Sequence, residues 1–273
     1  MTLTGTIRHE RIQANGTELY CEVRGSGPSV LFVSGATGDA GHFTGVADTL
    51  ADEFTTITYD RRGNSRSPKP AGWTTTSMQE QADDAAALIR ALGAAPAAIF
   101  GSSGGGIVAI DLVVRHPEVV RGAIVHEPEI VSVLPYKDEV MTKLKGVLDE
   151  AFANGGPRLA METFLRRNAG DAVFEALDLA LRERMLDNAD TFFGLELAAF
   201  LDYQPDAAAL ARSRVPLRAL YGDASPPYLA DTTKWLAEKT SVPAAILPGN
   251  HVPYLQRPAE TAELLRSIFR ELS

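Results

Sequence analysis

The sequence predicts an α/β fold: a mostly parallel sheet flanked by helices, with a helical segment inserted after the sixth strand. Three observations predict it. Short β-branched or apolar runs alternate with helix-period segments up to about residue 125 and again from 217, and such alternation gives a parallel sheet covered on both faces. Between about 130 and 206 helical segments follow one another with no strand between them. A glycine-rich turn, Gly101-Ser102-Ser103-Gly104-Gly105, joins an apolar run to a helical run.

In chain order, 18–23 and 29–34 read as strands separated by the turn Gly25-Ser26-Gly27-Pro28. Residues 55–59 form a β-branched strand. Residues 77–92 have helical spacing, with Ser77 as N-cap and Gly93 as the stop. The run 97–100 leads into the serine turn, 107–115 continues as a helix ending near His116-Pro117, and 120–125 is a buried strand. The insertion holds helical segments at 137–154, 157–168, 172–188 and 191–203. The rhythm resumes with a strand at 217–221, a helix at 229–240, a short strand at 244–247 and a last helix at 259–272. This divides the chain into a core of 1–129 and 207–273 and a helical cap of 130–206. There is no internal repeat and no low-complexity linker.

Composition narrows the function classes. With 45% hydrophobic residues in 273, the chain has enough apolar matter for a large core. The formal net charge of -9, without a basic run, argues against nucleic acid. Cys21 is the only cysteine, so no disulfide forms within the chain, which fits a reducing compartment. Residues 1–10 are polar, without the apolar centre of a signal peptide, and no stretch reaches membrane-span length. A cytoplasmic location is the expectation, with no membrane or nucleic acid as partner. A homo-oligomer stays open.

The serine turn carries the chemistry. A G-x-S-x-G sequence between strand and helix lifts a serine hydroxyl above the sheet edge, and glycines around Ser103 remove side chains that would collide there. The spacing G-x-G-x-x-G of a dinucleotide loop is absent. A serine needs a base to take its proton. His251, in the Pro248-Gly249-Asn250-His251 loop after the last strand, is placed to be that base. His126 is its rival but adjoins the acid and would point to the opposite side of the strand. His9, His42 and His116 lie outside any matching context, and no cluster has metal-ligand spacing. No cofactor is expected.

Two residues compete to orient the histidine. Glu127 ends the strand after the serine helix, about 4.8 Å from its neighbour strand and on the same sheet edge. Pro128 should bias it towards an extended backbone. Asp223 follows the seventh strand, where an acid is more usual, but the usual position itself holds neutral Ser225. Glu127 is favoured and Asp223 is the alternative. For the oxyanion, the backbone N–H of Gly104 is one donor, and Ala36 in the loop Ser34-Gly35-Ala36-Thr37-Gly38 is the candidate second. The charged turn from Asp60 to Ser65 reads as structural, bonding locally. A few of the aromatic and long apolar residues of the cap, from Leu134 to Tyr203, should roof an apolar pocket.

Taken together, the strand-three loop, the Asp-Arg-Arg-Gly turn, the serine elbow and the histidine loop resemble the α/β-hydrolase superfamily across nearly the whole chain. Gly101-Ser102-Ser103-Gly104, Val125-His126-Glu127-Pro128 and Leu247-Pro248-Gly249-Asn250-His251-Val252-Pro253-Tyr254 resemble the fungal zearalenone lactonases more closely. That resemblance implies an α/β-hydrolase fold, an acid after strand six (here Glu127) and cofactor-independent opening of a macrocyclic lactone. Like those lactonases, the chain lacks a histidine in the strand-three loop, having Ser34-Gly35. It departs in lacking a tryptophan in the cap, since Trp73 and Trp235 lie outside it. The expectation is a serine hydrolase of a small apolar ester or lactone, with Ser103, His251 and Glu127 as triad and Ala36 and Gly104 as oxyanion donors. A carbon–carbon bond or polyketide-processing hydrolase, and a ligand receptor on a hydrolase scaffold, are the alternatives.

Overall fold

The computed structural model describes residues 6–272. The opening residues 1–5 of the polar segment, and residue 273, lie outside them. Eight strands make one sheet: β1 (Arg8–Ala14), β2 (Thr17–Arg24), β3 (Ser29–Val33), β4 (Thr55–Tyr59), β5 (Ala97–Ser102), β6 (Val120–His126), β7 (Leu217–Gly222) and β8 (Ala244–Leu247). Their order across the sheet is β1-β2-β4-β3-β5-β6-β7-β8. β2 runs antiparallel to β1 and β4, and every pairing from β4 to β8 is parallel.

The central strands show why both faces are covered. In β3, Leu31 and Val33 pack on one side while Val30 and Phe32 pack on the other; in β5, Ile99 and Phe100 divide the same way. A side-chain period of two on a strand buried on both faces requires apolar residues at every position. The first face is covered by α2 (Met78–Ala91) and α3 (Gly104–Arg115), the second by α1 (Thr44–Leu50). Ser77 caps α2 by accepting the Glu80 N–H, and Gly93 follows its end at φ 63°. β1 was not among the expected strands. It is a mostly exposed edge strand of polar residues, so it lacks the apolar alternation that marks a strand.

Between β6 and β7 lie α4 (Lys137–Ala169), α5 (Asp171–Ala176), α6 (Leu179–Asp187), α7 (Ala189–Thr191) and α8 (Leu197–Asp202). α4 is two helices meeting at Gly155 and Gly156, whose backbones are not helical, and Pro157 opens the second. The expected 172–188 helix is divided at Asp178, which caps α6. After these come α9 (Ala207–Arg212), α10 (Pro227–Thr240) beside β7, the short α11 (Pro253–Gln256) and α12 (Pro258–Glu271), which packs with α1. No helix among the described residues is long and apolar enough to cross a membrane.

The insertion is fastened to the core by buried polar contacts. Arg61, in the turn after β4, donates to Glu196 of the insertion at 2.8 Å, and both side chains are fully buried. Arg61 also donates to the Gly35 carbonyl at 2.9 Å, so one guanidinium ties the insertion to the loop after β3. Arg184 reaches Asp39 in that same loop at 2.7 Å. The turn after β4 is therefore only partly local: Asp60 accepts from the nearby Arg66 N–H, as expected, but also from the Ala40 N–H 20 residues earlier, and Arg61 bonds farther still. The partner of Arg61 lies 135 residues away, beyond the reach of local reading. Glu196→Gln leaves a buried guanidinium without its counter-charge and should cost about 3–5 kcal/mol of stability. Urea unfolding monitored by circular dichroism measures this; a loss under about 1 kcal/mol would show that the pair contributes little.

Candidate active site

Ser103 stands between β5 and α3 with φ 59° and ψ -125°, a strained conformation for a residue with a side chain. Its N–H donates to the His126 carbonyl at 3.0 Å, and its own carbonyl accepts from Gly106 at 2.9 Å, so the neighbouring strand and the first helical turn hold the strain in place. The turn is tight enough to demand glycine. A Cβ on Gly101 would stand 2.2 Å from the Gly105 carbonyl oxygen, and one on Gly105 would stand 2.0 Å from that of Val33.

Glu127 lies just past the end of β6 with φ 45°. This corrects the expectation that Pro128 would keep it extended. Its N–H donates to the Leu220 carbonyl of β7 at 3.0 Å, and its Oε1 accepts from Gly222 N–H at 2.7 Å. These two bonds to β7 outweigh the pre-proline preference and turn the side chain along the sheet edge. Oε2 lies 2.5 Å from His251 Nδ1. Burial raises the Glu127 pKa, but the His251 hydrogen bond and the neighbouring imidazoles outweigh burial and hold it at about 2. The carboxylate can only accept, so Nδ1 carries the proton and Nε2 is left as the basic nitrogen. Burial alone favours neutral His251, yet the hydrogen bond and charge of Glu127, with the charge of Glu129, raise its pKa above the ordinary 6.5.

Asp223 is exposed, and its Oδ1 accepts from the Gly249 N–H at 2.9 Å. It braces the histidine loop and does not touch His251. His126 is fully buried, with Nδ1 2.9 Å from Ser102 Oγ. Its ring lies 6.2 Å from that of His251 and nearly parallel to it, rather than on a remote side. Strict alternation breaks down because Glu127 has left the extended conformation. Burial lowers the His126 pKa to about 4, so this imidazole stays neutral.

Ser103 and His251 line one cavity with Gly35, Ala36 and Thr37 of the loop after β3. Phe164, Leu165, Phe174, Leu177 and Met185 of the insertion line it with Asn168, so its upper wall is apolar but for that one amide. Gly35 packs against the nucleophile: a Cβ there would be 2.9 Å from Ser103 Cβ and 3.3 Å from Gly104 N. This sets the Gly104 N–H beside the loop that carries Ala36, and Gly104, in the first turn of α3, has no intrahelical acceptor for its N–H. His42 lines the cavity too, a residue that the sequence offered no reason to select. Its Nε2 lies 2.7 Å from Thr37 Oγ1, and burial lowers its pKa to about 4. Sequence reasoning also passed over Glu129. The Ser103 hydroxyl donates to Glu129 Oε2 at 3.3 Å and makes no hydrogen bond to His251 among the described contacts. A second acid two residues beyond Glu127 was the available signal. Among the described residues no group of three or more His, Cys, Asp or Glu side chains could hold a metal ion.

The chain as a whole has known relatives. A family model described as the alpha/beta hydrolase family matches residues 30–264. An uncharacterized hydrolase, YraK, of Bacillus subtilis (strain 168) is 32% identical over 97% of each chain. A zearalenone hydrolase of Bionectria ochroleuca is 25% identical over 89% of this chain and 90% of its own. A thermophilic esterase from Thermogutta terrifontis superposes with a TM-score of 0.79 at 21% identity, over 97% of this chain and 99% of that one, a likeness of fold.

Proposed function

From a chain that belongs to the alpha/beta hydrolase family and is a hydrolase of that superfamily, we propose a finer reading: it cleaves an apolar ester or lactone through an acyl-enzyme on Ser103. The observation that carries this is the 2.5 Å contact between His251 Nδ1 and Glu127, which aims a basic nitrogen into the cavity that Ser103 lines. Ser103 Oγ attacks the carbonyl carbon as His251 Nε2 takes its proton. The proton then passes to the leaving alkoxide, and the acyl group stays on Ser103. Water, with His251 again as base, releases the acid and restores the hydroxyl. Glu127 fixes the tautomer and stabilises the imidazolium. The Ala36 and Gly104 N–H groups receive the oxyanion, each worth about 3 kcal/mol in the transition state. Hydrogen bonds from nucleophile to base commonly tighten only in the reacting complex, and a turn about the Ser103 Cα–Cβ bond redirects the hydroxyl.

The mostly apolar upper wall supports an apolar substrate, and the likeness to a zearalenone hydrolase supports a lactone within that class. Within this reading no cofactor takes part. A panel of simple esters, lactones and β-diketones tests it. Turnover of esters or lactones is expected; esterase silence with diketone cleavage would move the protein to carbon–carbon bond hydrolysis.

The raised His251 pKa sets the sign of the pH dependence. Catalysis needs the neutral imidazole, so kcat/KM should fall as pH drops, with a midpoint above the ordinary histidine value of 6.5. A pH–rate profile with its acid limb below that value would contradict the Glu127–His251 coupling.

A further inference from the structure

Two carboxyl groups bracket Ser103. Glu127 acts on it only through His251, whereas Glu129 touches it. Ser103 Oγ donates to Glu129 Oε2 at 3.3 Å, and the Tyr228 hydroxyl donates to Oε1 at 3.4 Å. Pro128 lies over the first turn of α3 and the Glu129 N–H donates to the Ser103 carbonyl at 3.4 Å, so the loop holds the carboxyl beside the nucleophile. Glu129 is only 8% exposed, and among the described residues no lysine or arginine pairs with it. Burial raises its pKa. Charged or neutral, it presents an accepting oxygen to Ser103.

The proposed reaction disturbs this arrangement. When Ser103 gives its proton to His251, it withdraws the hydroxyl from Glu129. A buried acceptor stripped of its partner is unfavourable by about 5- to 150-fold in an equilibrium constant. A substrate group that donates to Glu129 in place of Ser103 removes that penalty. On the insertion side the cavity that Ser103 lines is apolar apart from Asn168, and Glu129, which is not itself part of that lining, meets it at Ser103.

We propose that Glu129, held by Tyr228, is a specificity-determining subsite that selects esters or lactones carrying a hydroxyl beside the scissile carbonyl. The substrate hydroxyl donates to Oε2 and releases Ser103 to His251. This rests on the serine-hydrolase reading above.

Methyl mandelate and methyl phenylacetate share one skeleton and differ by that hydroxyl. The wild-type protein should favour the mandelate by about tenfold or more in kcat/KM. Glu129→Leu should bring the ratio close to one. Glu129→Gln, whose amide oxygen still accepts, should keep most of the preference, and Tyr228→Phe should lower it part of the way. A wild-type ratio near one, or a Leu variant that loses both esters by the same factor, overturns the subsite. Calorimetric binding of mandelamide and phenylacetamide makes the same comparison without turnover. A preference for mandelamide that vanishes in Glu129→Leu upholds the subsite even where neither ester is cleaved, and then the hydrolase reading is what fails. Absence of a hydroxyl preference in both measurements overturns it.

Discussion

Ser103→Ala should lower kcat/KM for the best ester or lactone of the panel by about ten-thousandfold or more. The substitution deletes the one oxygen that forms the acyl bond. Alanine meets the same backbone requirement at φ 59° as serine does, so the elbow should keep its shape. What activity remains would come from binding and the oxyanion donors alone. Two measurements check this: steady-state hydrolysis, and labelling by a fluorophosphonate that reacts with an activated serine oxygen. Both should vanish together while the melting temperature stays within a few degrees of wild type. A variant that still turns over within about tenfold of wild type would show that another group attacks the carbonyl.

Glu127→Gln should be nearly as damaging, lowering kcat by about a thousandfold or more. Glutamine keeps the shape and can still meet Gly222 and His251, but it carries no charge. The imidazolium formed during proton transfer then stands in a buried place with its principal counter-charge gone. The amide can also present an NH2 to Nδ1 and favour the wrong tautomer. Asp223→Asn is the matched control. Its carboxylate bonds to the Gly249 backbone and leaves His251 alone, so kcat should stay within about threefold. If Asp223→Asn proved the crippled variant and Glu127→Gln the mild one, the orienting acid would belong after β7.

Much of the architecture could be read from the chain because the relevant forces are local and periodic. The apolar runs at β3 and β5 are continuous, as a strand buried on both faces requires, and Ser77 and Gly93 mark the ends of α2 by their own chemistry. β1 escaped notice because an exposed edge strand needs no apolar pattern. The break in α4 was readable as a Gly-Gly-Pro interruption, whereas the division of 172–188 depends on how Asp178 caps α6 in three dimensions. At the site, Ser103 is announced by its glycines and His251 by its place after the last strand. Glu127 could be weighed but not aimed, because its conformation is fixed by bonds to β7, nearly a hundred residues later in the chain. His42 matters only through proximity in space, and Glu129 had no signal beyond its place two residues after Glu127.

The fully buried Arg61–Glu196 pair has a practical consequence for anyone who would re-engineer substrate choice by exchanging the helical roof with that of a relative. The transplanted segment must bring an acidic residue to the same spot. Without it, a stranded cation would lie under the graft and pull on the peptide that carries Ala36, through the Gly35 carbonyl. Chimeras chosen only for the shape of the new roof would then express poorly or sit idle, and restoring that single carboxylate should recover more of them than any refinement of the pocket lining.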